Sequence, residues 1–170
     1  AKLNNLKQAA KTMNFLTEHG ISSYGELESK LTAISARRDT AHAEIKRIES
    51  RSAELTLVMK HAGTYRQLKP LYDRYRKSND KEKFLRGHES EIILFEAAAR
   101  ELKRLGAVPL PTTESMKTEL ANLSAEKERL LAEYKTARTE AQEYETVKQN
   151  VDALLTVPKE QEQQRRHELE

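Results

Sequence analysis

Five histidines, at positions 19, 42, 61, 88 and 167, are the side chains with the most chemistry to offer, and their spacing withholds it. No two stand three or four residues apart, so no helical face presents paired imidazoles to a metal. His88-Glu89 opens like a zinc-protease motif, but Ile92 stands where the second imidazole belongs. With no cysteine in the chain, disulfides, thiolate nucleophiles and Cys-ligated metals are excluded together. Serines and carboxylates are plentiful, yet no glycine-rich loop could cradle a phosphate and no sharp turn presents a nucleophile. Glu126, Glu128 and Glu133 read as solvated helix faces. The expectation is a chain that is no enzyme and carries no metal or cofactor.

What remains is electrostatic. The chain as a whole carries +3, but residues 60–86 hold nine Lys or Arg against three acids. The nine are Lys60, Arg66, Lys69, Arg74, Arg76, Lys77, Lys81, Lys83 and Arg86, with Tyr65, Tyr72 and Tyr75 interleaved. Clustered cations gain affinity for a polyanion by releasing its condensed counterions, and aromatic rings offer platforms for unpaired bases. These twelve residues are the candidate nucleic-acid site, with Tyr72 and Tyr75 the foremost stacking rings. A plain packing reading stands beside it: the tyrosines fill a helical tip while Lys and Arg keep it soluble.

The elements that must position this stretch are helices. Charged residues are 34% and aromatics only 5% of 170 residues, too lean for a broad layered core, and Gly and Pro are too sparse for a disordered linker. Residues 2–19 place Leu3, Leu6, Ala10, Met13 and Leu16 at helical spacing, and Gly20-Ile21 reads as a glycine stop. Ser23 to Glu26 forms a capping box for a long helix over 23–62, striped by Leu27, Leu31, Ile34, Arg38, Ala41, Ile45, Ile48, Ser52, Leu55, Met59 and Ala62. Gly63 and Pro70 are expected to interrupt it. Asn79 caps a further helix over 80–105 that Gly87 bends and Gly106 ends. Thr112 or Thr113 then caps a second long helix, striped from Met116 to Leu155 and ended by Pro158. A seven-residue repeat held over some forty residues implies a left-handed supercoil with a partner helix.

The expected fold is therefore all-α: a long antiparallel coiled-coil hairpin of 23–62 with 112–157. A short N-terminal helix (1–20) packs at its base, 63–111 forms a small basic helical tip, and 158–170 is a polar tail, frayed or disordered. In the alternative, 80–105 runs back along the rod as a third strand. The antiparallel register that best matches large with small residues sets Met59 by Met116, Leu55 by Leu120, Ala41 by Tyr134 and Ile34 by Ala141. Lys127 and Lys148 then fall beside Ile48 and Leu27, with their heads reaching water.

Several stretches together resemble the region downstream of the nuclease domain in relaxases, the mobilisation nucleases of conjugative and mobilisable elements of Gram-positive gut bacteria. They are NLKQAAKTMNFLTEHGI (5–21), YGELESK (24–30), KFLRGHESEIILFEAAARELKRLG (83–106), LPTTESMKTEL (110–120) and LAEYKTARTEAQEYETVKQNVDALL (131–155). The resemblance implies an upstream domain in which a tyrosine attacks the DNA phosphodiester beside a histidine-held divalent metal. None of those motifs lies in this chain, which reads as a piece of something longer. What it implies here is a non-catalytic accessory region, in the cytoplasm. The expected partners are DNA, single strands included, and proteins of the conjugation machinery or a second copy. A structural coiled-coil scaffold without DNA contact is the alternative. No stretch is apolar enough to span a membrane, and no small-molecule substrate is expected.

Overall fold

Each break in the helical pattern is a local hydrogen-bonding event. Gly20 takes φ +63°; its N–H donates to the Thr17 carbonyl and that of Ile21 to Leu16, the paired bonds of a Schellman stop. Gly106, at φ +69°, repeats the motif, with Ala107 N–H on Leu102 and Gly106 N–H on Lys103. Both are glycines because a Cβ in that left-handed region meets the following carbonyl. The computed structural model describes residues 2–167, with side chains for 2–156 and 163–167; Ala1 and residues 168–170 of the polar tail lie outside it.

Four helices result: α1 (Lys2–Glu18), α2 (Tyr24–Lys77), α3 (Lys81–Arg104) and α4 (Thr113–His167), with no strand among the described residues. The caps depart from expectation in detail. Ser23 Oγ accepts the Glu26 N–H, but the Glu26 carboxylate turns to the N–H and hydroxyl of Ser22 rather than closing the box on Ser23. Those bonds hold the Glu26 carboxyl below its ordinary value. Asp80, not Asn79, caps α3 by accepting the Lys83 N–H. Thr112 caps α4 through the Ser115 N–H.

Two helices outrun their expected ends. α2 passes Gly63 and Pro70 and stops only at Lys77. A proline inside a helix costs about 3 kcal/mol or more, and here the turns on both sides of it are clamped: the Phe95 ring of α3 stacks on Tyr65 at 4.8 Å and on Tyr72 at 4.3 Å. α4 runs past Pro158 to His167, because Lys, Glu, Gln and Arg are strong helix formers that need no apolar stripe. The bend expected near Gly87 falls at His88, whose φ of −139° and ψ of 26° leave the helical region.

The chain forms two compact units. One comprises the residues up to Ala43 with those from Leu130 onward, the other Glu44–Arg129, and α2 and α4 contribute to both. In the first, Ile21, Leu27, Tyr144 and Val147 are buried, with Phe15, Leu16, Leu31, Ile34 and Val151 packed on them. Here α2 and α4 pair antiparallel, with Lys148 on Glu28 at 3.9 Å, Arg37 on Glu140 at 2.7 Å, and Tyr24 donating to Asp152 at 2.7 Å. In the second, Leu55, Val58, Ala62, Leu102, Ala107 and Met116 form the core, with Met59 and Leu120 against it. Arg51 grips Glu119 with two bonds, and Lys127 meets Glu49 at 3.2 Å. Both lysines sit one residue from where the size matching of the stripes put them. Leu102 on the Leu55–Val58–Ala62 face shows that, within this unit, α3 runs back along the second half of α2.

The N-terminal helix departs most from its pattern. It packs on α4 through a face other than its apolar stripe: Thr12 is buried and its hydroxyl accepts from Asn150 Nδ2, while the Asn150 side-chain carbonyl accepts from Gln8. Phe15 meets the Tyr144 ring edge-on at 5.1 Å. Leu3, Leu6 and Met13, expected inside, are 66%, 67% and 58% exposed.

The two glycine classes should separate in urea denaturation. Gly106→Ala should cost about 1–2 kcal/mol, whereas Gly63→Ala, where nothing lies within 4 Å of the added carbon, should gain about 0.5–1 kcal/mol; the same sign from both would contradict the backbone assignment. The acid limb carries a second expectation. Bonds from Lys127 and then Lys46 hold the Glu49 carboxyl below its usual 4.5, so its contribution is full above that pH and lost as pH falls through the lowered value. Thermal scans from pH 6 to 2 should show a shallower decline for Glu49→Gln; an unchanged slope would remove Glu49 from the acid response.

Candidate nucleic-acid interface

Ser78-Asn79-Asp80 turns the chain between α2 and α3, and the basic residues gather around it. The last turn of α2 carries Arg74, Arg76 and Lys77. The first turn of α3 adds Lys81 and Lys83 at the positive end of that helix's dipole. All five are exposed, and none makes an ion pair among the described residues. Three acids lie in the same stretch: Asp80 caps α3, Asp73 pairs with Lys69, and Glu82 with Arg86.

The other four cations are placed differently. Arg66 is a strut: its guanidinium donates to Thr113 Oγ1 at 2.9 Å and to the Pro111 carbonyl, tying α2 to the start of α4. Lys69 pairs with Asp73 one turn on at 3.2 Å, and Arg86 with Glu82 at 3.8 Å, exposed contacts of the kind worth little to stability. Lys60 is exposed on α2, about ten residues before Pro70 and away from the turn. Of the nine basic candidates, then, five form one free cluster and four stand outside it.

The three tyrosines are half-buried and already in ring contact. Tyr65 and Tyr72 lie two turns apart on α2, and Phe95 stacks on each with interplanar angles of 25° and 24°. Tyr75 is tilted against Tyr72 at 5.9 Å and Phe84 at 6.0 Å. Phe84 in turn meets His88, whose Nδ1 lies 2.8 Å from a Glu91 oxygen and braces the bend in α3. This run of rings joins α2 to α3 and fixes the turn that bears the cations. Phe95 was legible only as one apolar position in the α3 stripe; nothing in its spacing names the tyrosines it would meet.

Among the described residues no group of three or more His, Asp or Glu is placed to hold a metal ion, and no helix is long and apolar enough to cross a membrane. Glu101, bonded by Arg104, has its carboxyl held below the ordinary value. Burial raises the Tyr144 phenol. No protein-family model, curated protein or solved structure matches this chain.

The ring contacts separate two roles for Tyr72. If it holds α3 through its ring face, Tyr72→Ala should cost about 2 kcal/mol or more, and Tyr72→Phe should stay within about 0.5 kcal/mol. Chemical denaturation reads both; a loss confined to DNA affinity, with stability intact, would return the ring to base stacking.

Proposed function

We propose that this chain is a non-catalytic helical accessory module of a DNA relaxase, one that assists DNA binding during mobilisation of a genetic element. The resemblance motivates the relaxase context. The observation that carries DNA binding is the set Arg74, Arg76, Lys77, Lys81 and Lys83, which flank one turn and make no ion pair among the described residues, Asp73 and Glu82 being paired with Lys69 and Arg86 instead. Five cations held this way repel one another, and the simplest relief is a polyanion whose counterions they displace. Because Phe95 covers one face each of Tyr65 and Tyr72 and Tyr75 leans on Tyr72 and Phe84, the contact runs chiefly to the phosphate backbone rather than to stacked bases. The tip then binds by charge, with weak sequence preference and a steep dependence on salt. The scaffold reading has an observation of its own, the uncovered apolar stripe of α1, and it is compatible with a DNA-binding tip.

Fluorescence anisotropy with a labelled duplex across a salt series tests the reading. Replacing Arg74, Arg76 and Lys77 by Gln should flatten the slope of log affinity against log salt by roughly two to three units. Replacing Lys60, which stands apart from the cluster, should change it by no more than about one. An unchanged slope in the triple variant, or no binding by the parent chain at low salt, would overturn the proposal.

A further inference from the structure

Leu3, Leu6, Ala10 and Met13 repeat at the alternating three- and four-residue spacing of a coiled-coil seam. Within its own unit, α1 does not use that seam. Thr12, Phe15 and Leu16 face the α2–α4 pair, and at 3.6 residues per turn the seam lies roughly on the opposite side of the helix. The Thr12–Asn150–Gln8 bonds lock this orientation: rotating the seam inward would bury leucines but strip the buried Thr12 hydroxyl and the Asn150 amide of their partners. Three residues of the seam, Leu3, Leu6 and Met13, are each more than half exposed. Met13 also lines a groove with the half-buried Leu16 and Val151 and the ring of Tyr24.

We propose that this face docks an amphipathic helix of another protein, with leucine-type residues at seam spacing and acidic residues flanking them. The charges on α1 select that partner. Lys2 and Lys7 border the seam on its two sides, and neither makes an ion pair among the described residues. In a parallel pairing with a second copy, Lys2 of one chain would meet Lys7 of the other across the seam, like charge against like. A helix with glutamates at the flanking positions turns both contacts into attractions. The inference goes beyond the DNA-binding reading and needs nothing from the basic tip.

The test uses the whole chain and a labelled synthetic helix with leucines at seam positions and glutamates at the flanks, beside a twin with lysines at the flanks. Anisotropy should show saturable binding of the acidic peptide, at least about tenfold tighter than its twin. Leu6→Glu, at a position too exposed to unfold the helix, should abolish it with the circular dichroism spectrum unchanged. Lys2→Glu with Lys7→Glu should invert the preference between the peptides. The Arg74, Arg76 and Lys77 to Gln variant should bind as the parent does, which keeps the outcome separate from that of the tip. No saturable binding, equal binding of the twin, or binding that survives Leu6→Glu would overturn the proposal. So would self-association in sedimentation that Leu6→Glu abolishes, which would assign the face to a second copy.

Discussion

The stacking of Phe95 on Tyr65 and Tyr72 is the contact on which the unit Glu44–Arg129 depends. It joins helices that share only a short turn, at the stretch where Pro70 has removed a backbone hydrogen bond from α2. Phe95 is buried against rings two turns apart, so it spans the weakened segment and gives α2 a reason to stay helical through it. The turn at 78–80 is then held at the end of two packed helices rather than on a loose loop, and its cations are displayed from fixed backbone. The same contact covers one face each of Tyr65 and Tyr72, so in the proposed function charge rather than stacking carries the contact with DNA.

Much of this fold is legible in the sequence, and the legible parts are those decided locally. Gly20 and Gly106 stop helices because only glycine takes their φ cheaply, and the residue after each supplies the second bond. The α2–α4 register is legible because seam positions must match size across two helices, and the Lys127–Glu49 and Lys148–Glu28 pairs fall within one residue of that match. What stays hidden is decided by distant partners. Pro70 reads as a break until Phe95 is known to brace the turns around it. The apolar stripe of α1 reads as its packing face until Asn150 is seen to claim Thr12 and Gln8. Asn79 and Asp80 are equally good caps on paper, and the turn geometry chooses Asp80.

The candidate site follows the same division. The concentration of charge over 60–86 is visible in the sequence, but not which cations are free. Arg66 looks the equal of Arg74 until its guanidinium is found on Thr113 and the Pro111 carbonyl. Interleaved tyrosines in a basic stretch suit either base stacking or a helical joint, and composition alone cannot separate the two. Cations and uncovered apolar stripe belong to different units, so each can be altered without touching the other's core.

The most direct measurement is amide hydrogen exchange on the chain and its Phe95→Ala variant, resolved by segment. If the ring contact holds α3 on α2, amides of 81–104 and of 65–77 should exchange far faster in the variant, while those of 24–43 and 130–150 keep their protection. Unchanged protection across α3, or loss spread evenly over all four helices, would contradict the dependence of the turn at 78–80 on this contact.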